Sequence, residues 1–379
     1  MKLLNLKLNN QEWETLDGEL TKNDYDKVNI IFLFGDTDVI KNDGNFLKLK
    51  DIFPKAIIVG CSSSGNILGS QISKSTVVAT AVFLEKSHIE IASLVLNEND
   101  NIEKLSENLI DSLPKENLKS IFLMADGLLI NGSELIRGIN KVNKLVPITG
   151  GMAGDGARFQ ETYVIVNDKP AQRTIVAVGF YGESLSVQSG CFAGWSEFGA
   201  QRIITKSEGN VLYEIDGIPA LDLYKKYLGE YASELPNSGL RYPLNIKEND
   251  DSNEVIRTLL AINEENKSIT FAGDVPVGCK ARLMKPNINE LIDGAGKAAE
   301  SIEKINDKTA LGLIVSCVGR KIVMNQLIDE ELEIIQDILG DSVQLIGFYS
   351  YGEIAPFKDN LFNCELHNQT MTLTTIFES

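Results

Sequence analysis

The sequence predicts an α/β fold: two pseudo-repeated lobes of mixed β-sheet flanked by helices. Three observations carry this expectation. Short runs rich in Val, Ile and Phe alternate with amphipathic stretches, the mark of interleaved strands and helices. Apolar strands run three times into a turn of small residues. The 379 residues also exceed the roughly 100–150 that one domain commonly holds.

In the first lobe, the apolar runs Asn29–Phe34 and Ala56–Val59 read as strands. Thr76–Leu84 and Ile89–Leu96 are joined by too few residues for a parallel crossover, so they pair antiparallel. Asn101–Leu113 reads as a helix, with Asn101 and acidic residues at its start and Pro114 at its end. Ser120–Met124 follows as a strand, Ser133–Asn143 as a helix, and Tyr163–Val166 and Thr174–Phe180 as strands. In the second lobe the helices are Ile218–Leu228, Asn287–Lys304 and Gln326–Leu339, and the strands Leu311–Ser316, Gln344–Phe348 and Thr370–Phe377. The lobes span residues 20–200 and 201–379, with a boundary near the Gly/Ser-containing stretch Gly194–Gly209.

The repeated turn is the more telling signal. It occurs in Ile57-Ile-Val-Gly-Cys-Ser-Ser-Ser-Gly65, in Val146-Pro-Ile-Thr-Gly-Gly-Met-Ala-Gly154-Asp and in Gln344-Leu-Ile-Gly-Phe-Tyr-Ser-Tyr-Gly352-Glu. A β-prone segment with an aromatic residue and Glu follows each copy: Val82-Phe-Leu-Glu85, Gly179-Phe-Tyr-Gly-Glu183 and Ile376-Phe-Glu378. Glycine at a strand end lets a ligand approach the backbone, and the crevice outside such ends is where α/β proteins bind ligands. None of the turns is a phosphate loop or a dinucleotide fingerprint, which disfavours nucleotides.

Composition narrows the class further. A net charge of -17 argues against nucleic acid, whose binding draws on clustered Lys and Arg. Cys61, Cys191, Cys279, Cys317 and Cys364 form neither C-x-x-C pairs nor metal-ligand spacings, and read as free thiols in a reducing compartment. The N-terminus is too polar for a secretory signal, and no run approaches the ~20 apolar residues of a bilayer helix. A cytoplasmic protein without membrane anchorage is expected.

Polar candidates gather in the second lobe. Cys317 and Arg320 follow one strand, Tyr349, Ser350, Tyr351 and Glu353 follow another, and His367 and Asn368 open the last. Arg257 lies in an apolar run, where an inward cation needs a partner. Together these groups suit a zwitterionic or carboxylate ligand gripped by Arg forks. Catalysis is poorly provided for, with only His88 and His367 in the chain. A thiol enzyme would use Cys317, or Cys61, and Arg320 would lower the Cys317 pKa. His367 is also the main candidate axial ligand for a haem, with Cys317 or Tyr349 as lesser candidates, and no zinc motif is present.

These segments resemble the FIST family of paired N- and C-terminal sensory domains. The first domain is suggested by Gly60-Cys-Ser-Ser-Ser-Gly65, Ala125-Asp-Gly-Leu128, Gly150-Gly-Met-Ala-Gly-Asp155, Arg158-Phe159 and Gly194-Trp195. The second is suggested by Ile215-Asp-Gly-Ile-Pro-Ala-Leu221, Tyr242-Pro-Leu244, Val277-Gly278, Ser316-Cys-Val-Gly-Arg320, Gly347-Phe-Tyr-Ser-Tyr-Gly-Glu-Ile-Ala-Pro356 and His367-Asn-Gln-Thr370. The resemblance adds Asp126, Gly151 and Asp155 to the candidate ligand-binding residues. It implies a bacterial, cytoplasmic sensory module for small ligands such as amino acids, with a haem-based nitric oxide sensor in some relatives. It also implies a separate signalling partner, such as a histidine kinase or a cyclic-dinucleotide enzyme, because two lobes leave no room for an output domain. The resulting expectation is a stand-alone sensor, not an enzyme, with no cofactor required and haem as the alternative.

Overall fold

Three segments of the chain follow one path. A strand and a parallel second strand are joined by helical connections, a small-residue turn follows, and a third strand returns antiparallel to the first. The first segment uses Ile30–Gly35, Ile57–Ser62 and Val77–Phe83. The second uses Leu118–Ala125, Ile148–Met152 and Thr174–Tyr181, and the third Ala310–Cys317, Val343–Ser350 and Met371–Glu378. This computed structural model describes residues 1–379 except 43, 75, 168, 250, 306 and 307.

Each trio is the heart of one sheet, and the sheets exchange strands cyclically. After the first turn Asn66–Leu68 joins the third sheet, after the second Val164–Val166 joins the first, and after the third Gly352–Phe357 joins the second. On the opposite edges, His88–Val95 leaves the first segment for the second sheet, and Leu185–Phe192 leaves the second segment for the third. Lys2–Asn9 completes the pattern beside Val77–Phe83. Strands from either side of residue 200 therefore share the second and third sheets.

The three sheets close on a common apolar core that includes Phe32, Phe34, Phe122, Phe180 and Phe348. Phe34 stacks on Phe348 at 4.7 Å, and Phe32 meets Phe122 edge-on at 5.9 Å. Helices cover the outer faces: Ile102–Asp111 and Gly132–Val142 on the second sheet, Ile288–Glu300 and Asp329–Leu339 on the third. The mixed α/β class read from the sequence is what the chain adopts, and every strand candidate coincides with a strand to within three residues at either end.

A fourth, antiparallel sheet is inserted between the second and third segments, from Ser196–Glu208 to Lys280–Lys285, with helix Ala220–Leu228 packed on it. Ser196 and Lys285 are register partners, so the insertion leaves and rejoins at one place. Three helix ends differ from expectation. Ile218–Pro219 pairs as a short strand, because its residues still follow the ladder of Val211–Ile215. The helix expected to Lys304 ends at Glu300, and a 3-10 turn, Asn325–Leu327, precedes the helix at Asp329.

Candidate functional site

The three turns converge, and they bind each other. Ser64 N donates to the Tyr349 carbonyl at 2.8 Å, Gly154 N to the Ser62 carbonyl at 3.0 Å, and Tyr351 N to the Met152 carbonyl at 3.1 Å. Asp36, Asp126 and Cys317 occupy equivalent places at the ends of the first strands. Their amides donate to the carbonyls of Thr76, Thr174 and Thr370 at 2.8, 3.0 and 3.2 Å. The recurring glycines serve the same packing. A Cβ at Gly60, Gly150 or Gly347 would strike the carbonyl oxygen of Leu33, Leu123 or Ile314 on the neighbouring parallel strand. The backbone approached here is the protein's own.

Several candidates from the sequence are fully engaged. Arg320 is buried, with Nε and Nη2 on Glu331 Oε2 at 3.0 and 2.8 Å, Nη2 also on the Leu291 carbonyl, and Nη1 on the Ala193 carbonyl. The Tyr349 hydroxyl donates to the other oxygen of Glu331 at 2.7 Å, and burial with that carboxylate pushes the phenol well up. Arg257 donates to the carbonyls of Asp274 and Leu366 at 2.9 and 2.7 Å and meets Glu365 at 3.4 Å. Neither guanidinium is open to a ligand carboxylate. Asn368 bridges the Thr258 amide and the His367 carbonyl. Asp126 accepts from the Leu128, Leu129 and Arg173 amides and the Thr162 hydroxyl. Asp155 accepts from the amides of Phe159, Gln160 and Glu161 and from the Tyr351 hydroxyl.

Gly151, Glu353 and His367 stand in one row across adjacent strands of the second sheet. Glu353 Oε1 accepts from the Ser350 hydroxyl at 2.5 Å, and Oε2 from the Thr370 amide and hydroxyl at 3.0 and 2.9 Å. Burial outweighs these bonds and pushes the carboxyl up to about 7. His367 Nε2 donates to the Ala355 carbonyl at 3.1 Å, which leaves Nδ1 unprotonated, and burial takes the imidazole down to about 4. That ring is 4% exposed and packs edge-on against Phe357, so its surroundings do not fit an axial haem ligand. Burial raises the Cys317 thiol, opposite to the shift a thiolate beside Arg320 would need, and the equally buried Cys61 is raised as well. His88 is exposed and stacks on Tyr181. Among the described residues no group of three or more His, Cys, Asp or Glu could hold a metal ion.

His367 and Thr370 line a cleft of about 1640 Å³. One wall is strand Leu185–Phe192, running on through Ala193 and Gly194 to Trp195; another is helix Ile288–Glu300; the inserted sheet supplies Asn245, Glu254, Ile256 and Met284. Asn245, Glu254 and Trp195 were not among the sequence candidates. Trp195 stood within a family motif, whereas the four-residue strand Leu244–Lys247 is too short for periodicity to single out Asn245. A second cavity, about 330 Å³, lies between Gly127–Gly132, Phe159 and Tyr351 on one side and Phe271–Gly273 on the other. Three of its polar side chains are committed within the protein: Asn131 caps a helix, Asn210 donates to the Phe271 carbonyl, and Tyr351 donates to Asp155.

Residues 29–218 match the model of the FIST N domain, and residues 220–356 match that of the FIST C domain. The chain belongs to the FIST family. FIST domains form a sensory and signal-transduction family. An uncharacterized protein of Methanocaldococcus jannaschii is 26% identical over 407 aligned residues, covering 95% of this chain and 76% of the relative. Among solved structures, a cyanuric acid hydrolase from A. caulinodans aligns over 93% of this chain and 91% of its own at 8% identity and a TM-score of 0.33. A second cyanuric acid hydrolase structure aligns over 94% and 92% at 7% identity and a TM-score of 0.29. So distant a likeness determines neither fold nor activity.

The two FIST matches meet inside the inserted sheet, at Ile218–Pro219, and not at a gap between sheets. The cleft draws Leu185–Trp195 from the FIST N match and Asn245, Glu254 and Met284 from the FIST C match. No helix among the described residues is long and apolar enough to cross a membrane.

Proposed function

We propose that this FIST protein is a cytoplasmic sensor that binds a small molecule in the cleft between its FIST N and FIST C segments. The event passes to a separate signalling protein, of the histidine kinase or cyclic-dinucleotide enzyme kind. One observation carries the reading: a large cleft is walled by both family segments and has a buried, strongly perturbed titratable group in its lining, His367. A ligand that touches both walls binds one arrangement of them better than another, which is what signalling by population shift requires.

Binding without chemical transformation is favoured by the state of the candidate nucleophiles. The Cys61 and Cys317 thiols are both raised by burial, and His367 Nε2 is tied to a backbone carbonyl. An amino acid or related small acid, the class the family suggests, would have to place its carboxylate away from Arg257 and Arg320. Native mass spectrometry and thermal-shift measurements against amino acids, small acids and amines test the reading. A ligand at a hundred times its dissociation constant stabilises by about 2.7 kcal/mol. A flat response across the panel, with no copurified mass, overturns it.

A further inference from the structure

Residues 367–370 join three parts of the molecule. His367 and Thr370 line the cleft. Asn368 Oδ1 accepts from the Thr258 amide at 3.1 Å, and Gln369 Nε2 donates to the Leu240 carbonyl and the Thr258 hydroxyl at 3.1 and 3.0 Å, all on the inserted segment. The Gln369 carbonyl accepts from Trp195 Nε1 at 3.0 Å, and Trp195 is itself part of the cleft lining. Thr370 closes the link to the third turn, because its amide and hydroxyl both donate to Glu353, whose other oxygen accepts from Ser350.

The first turn holds a neutral counterpart of this arrangement. The Ser63 hydroxyl donates to Asn66 Oδ1 at 2.5 Å, and Asn66 Nδ2 donates to the Thr76 carbonyl at 3.1 Å. Ser63 and Asn66 have the spacing of Ser350 and Glu353, and Thr76 is the equivalent of Thr370. An amide thus does in one copy what a carboxyl does in the other. A carboxyl resembles an amide, with a donor as well as acceptors, only while it holds its proton. Once ionised it is a buried charge that calls for a cation or water. The charged and titratable groups that face Glu353 do not meet that need. Arg320, on helix Val318–Met324, is committed to Glu331 and two carbonyls. Cys317 and Cys191, on the flanking strands, are thiols raised by burial, and His367, its register neighbour, is kept neutral by burial.

We propose that Glu353 is a proton-operated latch: while its carboxyl keeps the proton it holds Thr370 to the third turn, and when that proton passes to solvent the 367–370 segment loosens and the cleft wall shifts with it. The carboxyl O–H is the bond that breaks, and water or buffer takes the proton. The ionised group draws in water from the side of Thr370, which borders the cleft. Burial sets the carboxyl at about 7, so the change falls near neutral pH. As a control of the cleft, the latch rests on the cleft reading; its own action involves no ligand, so the two fail separately.

Trp195 reports on the segment directly. In a Trp13→Phe background it is the one tryptophan of the chain. Its emission is followed from about pH 5.5 to about pH 8.5, with deuterium exchange of residues 367–370 measured at both ends. The emission is expected to titrate with a midpoint near 7. At the upper end the segment should exchange at least about tenfold faster than in Glu353→Gln, and at the lower end the two should match. Comparison at equal pH cancels the intrinsic dependence of exchange on hydroxide. His88→Gln, remote from the latch, should keep the titration. Ser350→Ala removes a donor to the ionised form and should move the midpoint up, which keeps the test open if Glu353→Gln does not fold. A flat emission profile in the Trp13→Phe protein overturns the latch. So does a titration that persists in Glu353→Gln, an unmoved midpoint in Ser350→Ala, or exchange that stays equal at the upper end.

Discussion

At the scale of single residues, Glu353 and His367 are neighbours whose burial acts in opposite directions on stability. Glu353 rises from 4.5 to about 7, so the folded protein holds a proton that the unfolded chain has released. Its contribution is complete below pH 4.5 and is lost as pH rises through 7. His367 falls from 6.5 to about 4, so the unfolded chain takes up a proton that the folded protein refuses. That contribution is complete above pH 6.5 and is lost as pH falls through 4. Each is worth about 3 kcal/mol at 1.36 kcal/mol per pKa unit. From pH 4.5 to 6.5 the two slopes cancel, and single substitutions uncover them. Urea unfolding of Glu353→Gln should show stability rising with pH across that window, and of His367→Gln stability falling; parallel slopes in both variants would refute the assignment. The sequence marks both as unusual, one as a rare histidine and the other as a carboxylate in a repeated turn. Burial decides the direction of each shift against the hydrogen bonds of Thr370 and Ala355, and burial is set by packing that the residues themselves do not specify.

Among elements, the threefold turn is the part most legible in the chain, and its role is the part least so. Strands were readable because fully buried runs such as Ile30–Gly35 and Ala310–Cys317 are continuously apolar between breakers. A glycine does not declare what approaches it, and at Gly60, Gly150 and Gly347 the approaching group is a neighbouring carbonyl. Arg257 was likewise legible as a cation in need of a partner, but Glu365, which meets it, and Glu331, which holds Arg320, lie on other elements. Because the three glycines are equivalent by position, Gly60→Ala, Gly150→Ala and Gly347→Ala should all be poorly tolerated, Gly150→Ala the most because its φ is +144°. Each places a methyl group against backbone that has no room to move, a cost above about 4 kcal/mol. Gly69→Ala, with positive φ and nothing within 4 Å of the added Cβ, costs only the roughly 1–2 kcal/mol of left-handed strain. Soluble yield and denaturation midpoints measure the contrast. Tolerance of alanine at any of the three would mean that the close strand approach is not what holds the turn.

In the whole molecule, the cyclic exchange of strands makes the three segments one unit, while the fourth sheet is attached at a single neck. The exchange was hidden from the sequence because its pairings, such as Val164–Val166 with Ile57–Ser62, join strands a hundred residues apart without a local signal. The neck has a sharper consequence. Ser196 and Lys285 lie opposite each other, so replacing 197–284 with a short turn should close the chain without strain. Several of the contacts that cross to the insertion are polar, Arg257 to the Leu366 carbonyl, Thr258 N to Asn368 and Gln369 to the Leu240 carbonyl, while Ile256 and Met284 add apolar ones. On excision Asn368 and Gln369 meet water instead of remaining buried and unpaired, which limits the loss. The shortened chain should therefore keep a cooperative thermal transition and its strand-rich circular dichroism, at a lower midpoint. It should also lose every ligand of the cleft, because Asn245, Glu254 and Met284 leave with the insertion. A shortened protein that unfolds non-cooperatively would show that the three segments need the fourth sheet to fold. One that folds and still binds would place the ligand elsewhere, with the second cavity also dismantled by the loss of Phe271–Gly273.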